Sequence, residues 1–161
     1  MLQLGTKAET LKNLYGKLQN AKVLNSYVFR TKEWKQDAKN IWNQIQHELP
    51  SEKWIVRSSA LNEDTEASSQ AGKFESVGDV SGQESFFFAV NTVIASFDDG
   101  NPDNQILVQP MLKNVKVCGV AFTMDPSTMG NYYVINYDTT GSTSAITSGT
   151  GMQNKLLYIF K

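Results

Sequence analysis

Leu11, Leu14, Tyr15 and Leu18 recur at the spacing of one helical face. Just before them, Thr6-Lys7-Ala8-Glu9 has the layout of a capping box. In such a box a threonine oxygen caps the first turn, and a glutamate three residues on reaches back to the cap's own N–H. The pattern predicts a helix beginning at Lys7. Asn25 to Phe29 reads as a short strand, and Thr31 is placed to cap a second helix. In that helix Trp34, Ala38, Ile41, Trp42, Ile45 and Leu49 form one continuous apolar stripe, which Pro50 ends.

Lys53 to Ser58 is apolar and predicts a strand, whereas Asn62 to Gln70 is polar without period and predicts a loop. Lys73 to Val80 reads as extended. Ser81-Gly82-Gln83-Glu84 has the spacing of a second capping box, before a helix with Phe86, Phe87, Val90, Val93, Ile94 and Phe97 on its core face. Asp98 to Pro102 is a run of breakers. Beyond residue 100 the pattern changes to strands: Gln105 to Met111, Val115 to Thr123, Tyr132 to Tyr137, Ser142 to Thr147 and Lys155 to Phe160. Helices early and antiparallel strands late predict an α+β fold.

Composition narrows the class. The chain has 161 residues, enough for a real core, with 40% hydrophobic residues and a formal net charge of −1. That balance argues against a nucleic-acid partner, whose binders carry a basic excess. A single cysteine, Cys118, excludes an internal disulfide framework and fits a reducing compartment. No stretch has the length and apolarity of a membrane span, and the N-terminus lacks the layout of a signal peptide. A cytoplasmic protein is the expectation.

The candidate chemistry centres on Arg57, at a predicted strand end before a loop of hydroxyl and acidic residues. A guanidinium there suits bidentate phosphate binding. It equally suits an internal ion pair with Glu63, Asp64 or Glu66. Lys7, in a first helical turn, is either a second anion-binding cation or a plain solvated lysine. Gln109-Pro110-Met111-Leu112 either presents backbone groups to a planar base or is an ordinary sheet-edge turn. His47 lies off its helix stripe with no metal-ligand spacing around it. Cys118 reads as a buried structural thiol. No P-loop, Rossmann fingerprint or nucleophile elbow is present.

Val56-Arg57-Ser58-Ser59-Ala60, Glu63-Asp64, Ala67-Ser68 and Ala71-Gly72 together resemble the nucleotide-binding domain of the phosphoenolpyruvate synthase and pyruvate phosphate dikinase family. Gly5-Thr6-Lys7 through Leu11 is similar to that family's Gly-Gly-Lys-x-x-x-Leu. Ile106 to Met111 is similar to its Val-Val-Gln-x-Met, and Gly119 to Pro126 to its Gly-Val-Ala-Phe-Thr-x-Asp-Pro. The four matches occur in the family's order.

The resemblance implies the leading part of an ATP-grasp-like domain, with nucleotide between two lobes. Lys7 and Arg57 correspond to phosphate-contacting, catalytic cations. Ser76, Gln109, Met111 and Leu112 correspond to nucleotide-lining positions. It implies ATP and Mg2+ as cofactors, with the metal ligands expected beyond residue 161. It also implies a kinase-type transfer from ATP through a histidine on another domain to a small acceptor. On this reading residues 1–100 are a helix-rich part carrying the arginine loop, and residues 101–161 are the β-rich start of an incomplete second lobe. The chain would then be a truncated piece, inactive alone, lacking its C-terminal lobe and histidine domain. It would expose an apolar face prone to self-association. Two departures stand out. Thr6 replaces a glycine, and Tyr132 to Asp138 resembles a sub-branch of capsule-associated glutamine kinases. The alternative is a non-catalytic binding or interaction module that kept the fold.

Overall fold

The computed structural model describes residues 5–61, 75–140 and 154–161, with the backbone of 64–65 and 68–69. The chain divides into two compact units, Met1–Met111 and Leu112–Lys161.

In the first unit, helix α1 spans Lys7–Leu14, strand β1 Tyr27–Arg30, helix α2 Thr31–Glu48 and strand β2 Trp54–Ser59. Two short strands follow, β3 Asp64–Thr65 and β4 Ser68–Ser69, which pair with each other. Strand β5 is Ser76–Val80, helix α3 Gly82–Ala95 and strand β6 Gln105–Pro110. The four longer strands form an antiparallel sheet in the order β1-β6-β2-β5. So β6, which follows the expected change of character at residue 100, lies inside the first unit's sheet, between strands formed much earlier in the chain.

Side chains alternate across a strand, so each strand offers one face to the helices and one away from them. Tyr27 and Phe29, Ile106 and Val108, Trp54 and Val56, and Val77 and Val80 all join the core with α2 and α3. Phe86 is its most enclosed aromatic, with ring centroids 5.1 Å from Trp42 and 6.0 Å from Trp34. By register, the opposite face carries Val28, Leu107, Gln109, Ile55, Arg57, Ser59 and Ser76.

Several local expectations are corrected. The first capping box forms, with Glu9 N–H donating to Thr6 Oγ1 at 3.2 Å and Thr6 N–H to Glu9 at 3.0 Å. The helix nevertheless stops at Leu14, short of Leu18, because Tyr15 leaves helical geometry and Gly16 takes φ +71°. Thr31 does not cap α2; it is the first helical residue. Its hydroxyl donates to Pro102 O at 2.9 Å, and Glu33 accepts from the Arg30 N–H at 2.6 Å. The continuous stripe of α2 conceals a break at Asp37 (φ −153°, ψ 74°), whose carboxylate re-caps the chain by accepting from Asn40 N–H at 3.0 Å. The second capping box does not form, since the Ser81 side chain makes no cap hydrogen bond. Strand β1 begins at Tyr27, two residues later than expected. The loop Asn62 to Gln70 contains the β3–β4 ladder. The predicted strand Ser142 to Thr147 lies outside the described residues.

In the second unit, β7 Cys118–Phe122, β8 Tyr132–Asp138 and β9 Lys155–Phe160 form an antiparallel sheet in the order β7-β8-β9. Strand β7 is shorter than the expected Val115 to Thr123. Cys118 is half-buried on that edge strand rather than sequestered in a core. All of β9 is exposed, and Tyr132 and Tyr133 on β8 are exposed as well. No helix among the described residues is long and apolar enough to cross a membrane.

Candidate functional site

Arg57 lies near the end of β2, opposite Ser76 on β5 and Leu107 on β6. Its side chain leaves the sheet on the face that α2 and α3 do not cover. Arg57 is half-buried, and its Nε is fully buried without a hydrogen-bond partner among the described residues. A guanidinium donates through a planar fork, and each buried donor left unmade costs about 1–3 kcal/mol. All three alternative ion-pair partners fall outside the described residues: Glu63, Glu66 and the side chain of Asp64.

The first turn of α1 docks beside this arginine. Ala8 N–H donates to Ser59 Oγ at 3.0 Å, and Thr6 Oγ1 donates to Gln105 Oε1 at 2.8 Å. Gln105 also accepts from Ser59 Oγ at 3.4 Å, so one carboxamide ties the helix start to two strands. Lys7 Nζ then donates to the carbonyl of Ser58, the residue after Arg57, at 3.3 Å. A cation in a first helical turn opposes the helix dipole, and the N–H groups there favour an anion. The two candidate cations therefore converge on one stretch of backbone, Arg57-Ser58, at the positive end of a helix.

Gly5 and Thr6 shape that turn. A Cβ at Gly5 would sit 2.2 Å from Glu9 Oε2, so a side chain there would displace the end of the returning carboxylate. Thr6 has φ −58°, which any residue adopts, so a glycine is not required at that position. The threonine hydroxyl instead supplies both the cap and the tie to Gln105.

Gln109 is buried and sits on the same face as Arg57, opposite Ile55. Strand β1 pairs with β6 only as far as Val108, so Gln109 and Pro110 extend past its end. The segment is thus the end of an inner strand rather than a sheet-edge turn. Met111 N–H is already committed to Lys53 O at 2.9 Å, and the Met111 side chain lies beside Gly78 of β5. Leu112 is exposed and belongs to the second unit, so its place relative to the other five residues is not part of this site.

Sequence reasoning missed Ser59, Gln105 and Asn104. Asn104 is 1% exposed; its side chain accepts from Leu61 N–H at 3.2 Å and donates to Asp99 at 2.7 Å. It therefore anchors the chain as it leaves β2 for the hydroxyl-rich loop. Local spacing does not mark these residues, because the contacts that tie them to α1 and to the exit of β2 span 43 to 99 positions. The adjacent Ser58-Ser59 pair was the only available hint.

A cavity of about 760 Å3 lies elsewhere, between α1, residues 24–28 and the end of α2. It contains none of the predicted site residues. Among the described residues no three His, Cys, Asp or Glu side chains come together as a metal site, so those residues by themselves do not fit a Mg2+ centre.

No curated protein matches the chain in a sequence comparison. A comparison with family models matches the pyruvate phosphate dikinase, AMP/ATP-binding domain over residues 4–102, which includes Lys7, Arg57 and Ser76 and stops before Gln109. With well over half of its length matched, the chain belongs to the pyruvate phosphate dikinase AMP/ATP-binding domain family.

Proposed function

We propose that this chain is the ATP-binding portion of a phosphoenolpyruvate-synthase-like phosphotransferase with an ATP-grasp arrangement. In this reading Lys7 and Arg57 hold the nucleotide phosphates. Ser76 borders the same face, and Gln109 and Met111 line the base. The observation that carries the reading is the half-buried Arg57, whose Nε has no protein partner among the described residues, beside the docked first turn of α1. Family membership supplies the kind of anion, an adenine nucleotide.

The charge of a transferring phosphoryl group is stabilised by positioned cations. In this reading the phosphoryl group passes through a histidine on another domain to a small acceptor. Glutamine is the proposed acceptor, on the resemblance of the Tyr132 to Asp138 strand to capsule-associated glutamine kinases. The 161-residue chain is proposed to turn nothing over alone, in a cytoplasmic setting. The open apolar sheet of the second unit is proposed as the surface on which the remaining lobe packs, or through which free copies self-associate.

Isothermal titration with ATP tests the phosphate assignment. Arg57→Ala is expected to weaken binding about 10- to 150-fold, the equivalent of about 1.5–3 kcal/mol for charge-assisted hydrogen bonds. Unchanged affinity would remove Arg57 from the site. Steady ATP consumption by the chain alone, abolished by Arg57→Ala, would overturn its proposed inactivity.

A second reading, a non-catalytic interaction module, is favoured by one observation: every residue of β9 is exposed, including Leu156, Tyr158 and Phe160. No measurable nucleotide binding together with a stable dimer would support it over the first.

A further inference from the structure

The four-stranded sheet of the first unit has two edges, β1 and β5. Open edges invite another strand, and proteins commonly block them with bulges or irregular backbone. Strand β5 is blocked in this way. Its register with β2 shifts between Trp54 and Val56, and Asp79 takes φ +55°. Strand β1 is regular along its whole register with β6.

The direction of the free backbone groups on β1 follows from its two ends. Thr31 N–H donates to Asn104 O at 2.9 Å, toward the β6 side. Arg30 N–H instead donates to Glu33, away from β6. In an antiparallel pair, successive residues alternate in direction, and each residue's N–H and C=O point the same way. The Val28 N–H and C=O therefore point outward, and Val28 is 40% exposed.

Two cavities run along this outer edge and share Tyr27 and Val28. One, of about 760 Å3, has apolar lining from Leu11, Tyr15 and Leu24. The other, of about 340 Å3, is polar. Their charged lining residues are Glu48, Glu33 and Asp37, against a single cation, Lys12. The Tyr27 hydroxyl reports the same field. Burial is the main reason its pKa is raised, and the negative charges of Glu48 and Glu33 raise it further. An outward backbone pair, an apolar recess and an acidic rim together match an extended strand that carries both apolar and cationic side chains.

We propose that the outer edge of β1 is a docking groove for an extended, lysine- or arginine-bearing segment of another protein, which adds to the sheet as a further strand. The inference is independent of nucleotide binding. An apolar side chain of the segment enters the larger cavity, while its cations face Glu48, Glu33 and Asp37. Because β1 has only four residues, the contact is short, and charge complementarity sets its selectivity.

The test is a nuclear magnetic resonance titration of the 161-residue chain with two blocked hexapeptides, Lys-Leu-Lys-Val-Lys-Leu and Glu-Leu-Glu-Val-Glu-Leu. The lysine peptide is expected to shift the Val28 amide and slow its hydrogen exchange, and the glutamate peptide is expected to do neither at the same concentration. Glu48→Gln is expected to weaken the lysine peptide about two- to fivefold, as for an exposed charge pair. Asp37→Asn serves as the second variant, on the other cavity, and retains a capping oxygen for Asn40. Equal response to both peptides, or shifts confined to other amides, would overturn the proposal. Concentration-dependent shifts at Val28 without peptide would also overturn it, by identifying a second copy of the chain as the occupant.

Discussion

Arg57 and Ser76 are register partners across the β2–β5 ladder, so their side chains leave the same face of the sheet, the one α2 and α3 leave uncovered. The ladder makes neighbours of residues 19 apart in the chain. It also puts the arginine beside the exposed first residue of β5. A charge held there meets an open, polar surface on one side and the buried Leu107 on the other.

Substitution at Arg57 separates a ligand-binding arginine from a structural one. Removing one partner of a buried ion pair destabilises a protein strongly, by about 3–5 kcal/mol, because the other charge is stranded. If Arg57 serves the nucleotide, Arg57→Leu is expected to leave the urea midpoint unchanged or raise it, while abolishing the arginine's share of ATP binding. A large fall in midpoint with ATP affinity intact would indicate an internal ion pair.

Gln105 is expected to act on the site without touching it. Gln105→Ala removes the acceptor shared by Thr6 and Ser59 and so loosens the first turn of α1. The cost in stability is about 1–2 kcal/mol, readable by urea denaturation, and it should be accompanied by weaker ATP binding. Gln105→Glu, which keeps the acceptor, should recover most of the stability. If neither stability nor affinity moves in Gln105→Ala, the docking of α1 does not depend on this carboxamide.

Phe86 measures how far the aromatic core supports the sheet. It is fully buried, with Trp42, Trp34 and Trp54 around it. Phe86→Ala should cost about 3–5 kcal/mol, shifting the urea midpoint down by about 1–3 M. Phe88, on the same helix but 72% exposed, is the control: its alanine variant should change stability by less than about 0.5 kcal/mol.

The turn between β7 and β8 should be acid-sensitive. Hydrogen bonds from the Thr128 hydroxyl and the Ser127 N–H hold the Asp125 carboxyl below its ordinary value. A folded-state pKa below the unfolded one contributes stability above the unfolded value, near 3.8, and that contribution is lost as pH falls through the folded value. The amides of Ser127 and Thr128 are therefore expected to keep their resonance positions from pH 7 to about 5 and to move together below about 4. Asp125→Asn should abolish that acid transition. A transition that survives in the variant would assign it to another carboxylate.

Much of the fold was legible in the pattern of residues. The stripe of α2, the start of α1 at Lys7 and the aromatic face of α3 all appear where apolar spacing placed them, because short-range periodicity and capping act over a few residues. The errors were local contests that longer-range contacts won. Thr31 looks like a cap, but the carbonyls of Asn101 and Pro102 hold its hydroxyl. Ser81 has the right spacing for a box, yet its side chain makes no cap bond.

The sequence by itself determined which residue types are available for the chemistry: an arginine at the end of an apolar run, a lysine in a capped first turn, and a family pattern extending from α1 through β2 and α3. Only the tertiary structure decided that these belong together. The ladders of β2 with β5 and β6 placed Arg57 opposite Ser76 and on the face that also carries Gln109. Gln105, with partners 46 and 99 positions away, brought the lysine's helix to the arginine's strand. Side-chain periodicity is a property of neighbours along the chain. Convergence of charge depends on strand order and hydrogen bonds between distant residues, which no local pattern encodes.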